Sequence, residues 1–275
     1  NKVRACWASL FEGRGIFYRE EHHFSHMKVG IAVPVQKMIQ SKVSGVTFTA
    51  DPTGQKKNII LIEAAWGLGD LIVQGEIIPD CYIVNSKTGK IISREINPQK
   101  IHLIKKGKKT KKTLVPQYLV KKPKLTDQEI RKLAKLCKKI HQHYFFPQDI
   151  EWAKEKNKLY VVQTRPITTI NKKSKVKSQK LKAKHQTSSI KPLLTGIPAS
   201  PGIGVGPAKK IKSAKEIGKI KKGDVLITKM TSPDFVPAMK LVVAIVTDQG
   251  GQTSHAAIVS RELGIPCIVG TKTAT

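Results

Sequence analysis

Acidic side chains are scarce in this 275-residue chain: 19 Asp and Glu stand against 50 Lys and Arg, a formal net charge of +31. Arginine is scarce as well, supplying only seven of those cations. Two stretches, 105–124 and 172–191, hold seventeen lysines and no Asp or Glu. A surface for nucleic acid or an anionic membrane would suit that charge. Base readers favour Arg, however, and neither stretch interleaves aromatics for stacking, so solvated lysine-rich loops are the simpler reading. The same field would attract an anionic nucleotide. The four cysteines, Cys6, Cys81, Cys137 and Cys267, include no CxxC pair. That argues against a zinc site or a disulfide framework and fits reduced thiols in a cytoplasm. No apolar run approaches the roughly eighteen residues that span a bilayer, so no membrane partner is expected. The opening, NKVRACWASLFEGR, has no signal-peptide pattern. It also lacks Met, which predicts that the protein starts upstream.

What is present reads first as mixed α/β. Lys28 to Gln40 and Val43 to Asp51 read as two strands, and Asn58 to Ala65 as a third that ends in the turn Trp66-Gly67-Leu68-Gly69. Cys81 to Asn85 and Lys90 to Glu95 pair as a hairpin. The stretch 105–124 reads as an exposed excursion. Thr126 and Glu129 have capping-box spacing. Behind them Ile130, Leu133, Ala134, Cys137 and Ile140 line one helical face, which makes His141 and His143 surface or packing residues. Residues 171–191, with eight lysines and little apolar content, read as a linker. From Leu193 a second, smaller α/β segment begins, and Cys267 within it reads as core.

Two constellations carry chemistry. Asp149 to Pro166 reads as a hairpin turning near Lys156-Asn157. Alternation puts Ile150 and Trp152 on one face with Glu151 on the other, and puts Leu159, Val161, Gln163 and Arg165 together on the return strand. Glu151, Gln163 and Arg165 then converge if the register allows. A carboxylate and an amide oxygen suit Mg²⁺, and a guanidinium suits a phosphate. The bland alternative is a surface ion pair. Near the end, Leu241 to Thr247 reads as a buried strand, Gly250-Gly251 as a turn, and Thr253 and Ser254 as N-cap types before a helix from Ala256 to Leu263. His255 then sits in the first turn, where unpaired N–H groups and the helix dipole favour an anion beside a nucleophilic imidazole.

The run GGQTSHAAIVSRELGIPCIVG, Gly250 to Gly270, resembles the phosphohistidine motif of the phosphoenolpyruvate-utilising enzymes, in its synthase (pyruvate, water dikinase) branch. DIEWA…LYVVQTRPI, SGVTFTADP, EAAWGLGDLIVQGEIIPDCYIV and TKMTSPDFVPAM resemble the same family in order. The resemblance implies an α/β (α+β) fold: a partial ATP-grasp domain over 1–170, a Lys-rich linker over 171–192, and a small swivelling phosphohistidine domain over 193–275, truncated at its C-terminus. It implies that His255 carries the phosphoryl group and that Arg165 contacts ATP phosphate. Glu151 and Gln163 would hold Mg²⁺. Gln36, Met38 and Ile39 would lie on a hinge strand beside adenine, and Thr253 would be the target of a regulatory kinase. The implied substrates are ATP, water and pyruvate, with AMP, phosphoenolpyruvate and phosphate as products. Pyruvate would be bound by a barrel absent here, leaving a fragment inactive alone. Pyruvate, phosphate dikinase or an antibiotic phosphotransferase shares the plan. A sugar-transport-type phosphohistidine relay and a basic nucleic-acid binder are the readings outside it.

Overall fold

The computed structural model describes residues 1–21, 23–107, 109–167 and 192–275. They form two compact units, Asn1–Met38 and Ile39–Thr275. The first holds helices α1 (Lys2–Ala8) and α2 (Gly13–Glu21). Inside it Arg19 is buried, donating from Nε to His26 Nδ1 at 3.0 Å and lying over the Phe11 ring. The strand expected over 28–40 does not form: residues 29–40 are irregular, so Gln36, Met38 and Ile39 lie on no strand. The apolar alternation is real, but a strand exists only through ladder bonds to a neighbour, and Pro34 has no N–H to give.

The second unit begins with β1 (Val43–Phe48), β2 (Ile59–Trp66), a short α3 (Asp70–Val73), β3 (Asp80–Asn85) and β4 (Ile91–Glu95). The hairpin of β5 (Ile101–Lys106) and β6 (Lys109–Leu114) follows, then α4 (Asp127–Tyr144), β7 (Gln148–Glu155) and β8 (Lys158–Pro166). Six strands make one antiparallel sheet in the order β4-β3-β2-β1-β7-β8. β1 and β2 are buried along their whole length, as expected of central strands covered on both faces. One face packs against α4, bringing Ile130, Leu133 and Cys137 onto Ile60, Ile62, Tyr82, Ile150 and Trp152. Burial pushes the Cys137 thiol up to about 12, so it is inert packing.

Helix α4 keeps its sequence signals. Thr126 and Glu129 form a reciprocal capping box, and Ile130, Leu133, Ala134 and Cys137 are buried with Ile140 packed beside them. His141 accounts for one ring nitrogen by a 2.8 Å bond to Thr49 Oγ1. The helix stops at Phe145, which is left-handed (φ 57°) and 89% exposed. A side chain there is strained, and little packing holds it. Phe145→Gly is therefore expected to raise stability by about 0.5–1 kcal/mol. A lower urea midpoint in the variant would show that the ring contributes packing instead.

The 105–124 excursion is more ordered than its composition predicts. Ile101 and Leu103 anchor the β5–β6 hairpin against Val46, Ala65, Leu71, Ile72 and Ile77; its lysines at 105, 106, 109 and 111 are exposed, while Lys112 pairs with Glu76. Lys124 departs furthest from expectation: it is fully buried in an ion pair with Asp80, Nζ to Oδ1 2.7 Å. Burial lowers its pKa, and the Asp80 carboxylate opposes that shift.

The remaining chain adds β9 (Ile197–Ser200), β10 (Ala208–Lys210), β11 (Val225–Thr228), α5 (Val236–Met239), β12 (Ala244–Thr247), α6 (His255–Leu263) and β13 (Cys267–Val269). These strands form a sheet in the order β10-β11-β12-β13-β9, parallel except for β9. Its core gathers Leu226, Phe235, Met239, Ile245, Ala256, Ala257 and Cys267. The strand expected over 241–247 is confined to β12, because Leu241 ends the turn after α5, accepting from Gly223 N while its own N–H bonds Ala238. The linker expected over 171–192 falls outside the described residues except for Pro192.

Candidate functional site

The β7–β8 hairpin turns at Lys156-Asn157 and pairs Glu151 directly with Gln163 and Asp149 with Arg165. A bulge then shifts the register, so Val161 pairs with Trp152 and Leu159 with Lys154. Leu159 and Val161 thus leave the face of Gln163 and Arg165, contrary to simple alternation, because one extra residue reverses the side-chain period. Glu151, Gln163 and Arg165 remain together.

Pairing continues across the sheet in rows. One row is Cys81, Glu63, Val46, Glu151 and Gln163; the next on the same face is Ile83, Leu61, Phe48, Asp149 and Arg165. This face lies opposite α4. Strands are spaced by about 4.8 Å, so Glu63 and Glu151, with Val46 between them, stand about 10 Å apart along the row.

Electrostatics on this face are unbalanced. Arg165 Nε donates to Asp149 Oδ2 at 2.9 Å while half of its side chain stays exposed. Burial raises the Asp149 carboxyl, with Arg165 opposing, and Asp149 Oδ1 is buried without a hydrogen-bond partner among the described residues. Glu151 is raised by burial and then by Asp149, against the pull of Arg165, with Asp70 adding to the rise. A cation beside Glu151 and Gln163 would relieve this crowding of carboxylates, and both oxygens are hard donors. Among the described residues no three His, Cys, Asp or Glu side chains gather as an all-protein metal site. A cation here would draw its further ligands from phosphate or water.

His255 is the first residue of α6, preceded by Ser254 in extended conformation. Its Nδ1 lies 2.8 Å from the hydroxyl of Thr231, which is buried in the loop after β11. With the ring proton on Nδ1 and donated to Thr231, the lone pair sits on Nε2. Ser254 stands at the N-cap of α6 as expected, but its side chain makes no cap hydrogen bond. Ser254 Oγ donates back to Gly251 O at 2.8 Å, and Thr253, 2% exposed, donates its hydroxyl to Glu63. Burial raises the Glu63 carboxyl, with the bonds from Thr253 and Gln252 and the nearby Arg261 opposing, and the Thr253 hydroxyl is spent on it instead of on the helix end. Glu63 also accepts from Gln252 N (2.7 Å) and Thr253 N (3.2 Å). Beside it Arg261 donates to Ala199 O and Gln252 O at 3.0 and 2.9 Å, and lies over the Phe48 ring.

The segment carrying His255 therefore rests on the sheet face that carries Glu151, Gln163 and Arg165. Glu63, Thr231 and Arg261 complete this arrangement and were not singled out in the sequence. One signal was available: Glu63 is the lone charge in the apolar run NIILIEAA, and a buried charge needs a partner. Thr231 had none beyond its place in TKMTSPDFVPAM.

Residues 1–186 match the family described as pyruvate phosphate dikinase, AMP/ATP-binding domain, and residues 220–275 match the PEP-utilising enzyme mobile domain. A phosphoenolpyruvate synthase of Pyrococcus furiosus is 49% identical over 284 residues, covering 100% of this chain and 34% of that protein. A probable phosphoenolpyruvate synthase of Archaeoglobus fulgidus is 50% identical over 275 residues, covering 100% and 36%. A phosphoenolpyruvate synthase of Aquifex aeolicus is 42% identical over 292 residues, covering 99% and 34%. The chain thus spans about a third of the length of the curated relatives it matches. Among the described residues no helix is long and apolar enough to cross a membrane. The chain belongs to the pyruvate phosphate dikinase AMP/ATP-binding family and continues into the mobile domain of the PEP-utilising enzymes, in keeping with its mixed α/β fold.

Proposed function

We propose that the protein carrying this chain is a phosphoenolpyruvate synthase, converting ATP, pyruvate and water to AMP, phosphoenolpyruvate and phosphate. The observation that carries this reading is the seating of the His255 loop on the face that bears Glu151, Gln163 and Arg165. The names of the relatives favour the synthase over the sister dikinase. Nε2 of His255 attacks the β-phosphorus of ATP, the bond to the α-phosphate oxygen breaks, and AMP leaves. Water then takes the outer phosphorus and releases phosphate, which leaves phosphohistidine for pyruvate. Thr231 holds the ring tautomer that keeps the lone pair on Nε2. Arg165, half exposed beside Asp149, meets the growing phosphate charge. Glu151 and Gln163 would hold Mg²⁺, whose contribution when bound is to neutralise the polyphosphate.

The domain plan completes the reading: residues 1–170 present ATP, and residues 193–275 carry the phosphoryl group to pyruvate. ATP and reduced cysteines fit a cytoplasmic setting. A regulatory kinase acting on Thr253 would have to catch the undocked state, since that hydroxyl is buried against Glu63 in the docked one. The reading is tested by following products from ATP and pyruvate in the intact protein. AMP, phosphoenolpyruvate and phosphate in equal amounts support it, whereas ADP as the nucleotide product contradicts it.

A pH dependence follows from Glu151. Its pKa is raised, chiefly by burial, so the folded chain binds that proton more readily than an unfolded chain would. Only the ionised carboxylate holds a cation, and the proton competes with it. Apparent Mg²⁺ affinity is therefore expected to fall with decreasing pH at a value above the ordinary glutamate range. Calorimetric titration of Mg²⁺ across pH checks this, and a fall confined to pH below that range would contradict it.

A further inference from the structure

We propose that Glu63 is the docking latch of the His255 segment, a positioning residue that holds the loop before α6 against the sheet face bearing Glu151, Gln163 and Arg165. Glu63 is 1% exposed, and its carboxyl accepts from Gln252 N, Thr253 N and Thr253 Oγ1 on the other side of the seam. Those donors belong to the two residues that end two positions before His255, so the carboxylate fixes where the imidazole begins. The seam is cut to admit this approach. A Cβ on Gly251 would fall 2.4 Å from Glu63 Oε1, and one on Gly75 would fall 3.0 Å from Ser254 Cβ and 3.7 Å from Gly250 Cα. At Gly251 the Glu63 carboxylate itself fills the space that a side chain would need.

Charge supports the same assignment. Arg261 of α6 is buried beside Glu63 and Asp149 and braces Gln252 through its carbonyl. The register row gives the latch its consequence: Glu63 shares its row and face with Glu151 and Gln163, separated from Glu151 by Val46 alone. A segment held at Glu63 is held at a fixed distance from the residues read as the phosphate and cation site. Polar bonds suit a contact that must release, because water replaces each of them when the seam opens and their net worth is small. An apolar seam of equal area would lack that reversibility.

This inference rests on the proposed transfer from ATP to His255 for its catalytic consequence, but not for the docking itself. Two measurements on the full chain separate the two. Amide hydrogen exchange of Glu63→Gln and of Thr253→Val, which weaken the contact from opposite sides, should speed at Gln252 and Thr253 by up to about tenfold, the effect of losing one hydrogen bond. The later amides of α6, bonded within the helix, should keep wild-type exchange. In the intact protein the rate of phosphoryl transfer from ATP to His255 should fall about tenfold in kcat, with KM for ATP close to wild type, and Thr253→Ser, which keeps the hydroxyl, should restore the rate. Wild-type exchange at Gln252 and Thr253 in both variants overturns the latch. If His255 of the unaltered protein takes no phosphoryl group, the functional reading fails, and the exchange result alone then decides the latch.

Discussion

His255→Ala is expected to leave the intact protein unable to take up a phosphoryl group from Mg-ATP. The loss should be on the order of a millionfold, the scale seen when a covalent nucleophile is removed. The fold should barely notice. His255 is only partly buried at the first position of α6, and its bond to Thr231 contributes about 1 kcal/mol. Pyruvate-dependent AMP formation should vanish while ATP still binds, because the groups read as holding its phosphates, Glu151, Gln163 and Arg165, stand on a different sheet. AMP formation at the wild-type rate would remove His255 from the mechanism.

Lys124→Met is expected to destabilise the chain more than any other single change considered. Lys124 and Asp80 are each fully buried. Asp80 also accepts from Asn97 N at 2.9 Å and Tyr82 OH at 2.8 Å, and Lys124 Nζ donates to Asn97 O. Removing the ammonium leaves a carboxylate in the interior without its counter-charge, at a cost of about 3–5 kcal/mol. Asp80→Asn in the same chain should recover part of that loss, because both charges are then gone. Urea unfolding measures both. A single variant within about 1 kcal/mol of wild type would mean that water reaches the pair after all.

These two residues mark what a sequence discloses and what it hides. His255 was legible because its chemistry is local: a strand, a glycine turn and a helix start follow one another within fifteen or so residues. Helix α4 and the hairpins β3–β4 and β7–β8 were legible for the same reason, since their periodicities and turns are written in consecutive residues. Lys124 was hidden by its neighbours. In a run of nine lysines between 105 and 124, nothing local separates the one that finds Asp80 from those that face water. The bulge in β8 was hidden as well, because an extra residue shows only against the partner strand. The segment 28–40 shows the reverse error, an alternation that reads as a strand but has no ladder. Glu63 lies between these cases. Its isolation among apolar residues announces a partner, while the partner's identity depends on contacts about 190 positions away.

The central claim is that phosphoryl chemistry passes through His255, and one measurement tests it directly. The intact protein is incubated with Mg-ATP labelled in the β-phosphate, held at alkaline pH, digested, and its peptides sequenced by mass spectrometry. The account predicts an acid-labile label on the peptide containing His255, absent when only the γ-phosphate is labelled once hydrolysis is complete, and discharged by pyruvate. A folded, ATP-binding protein that carries no such label, or carries it on another residue, would contradict the account.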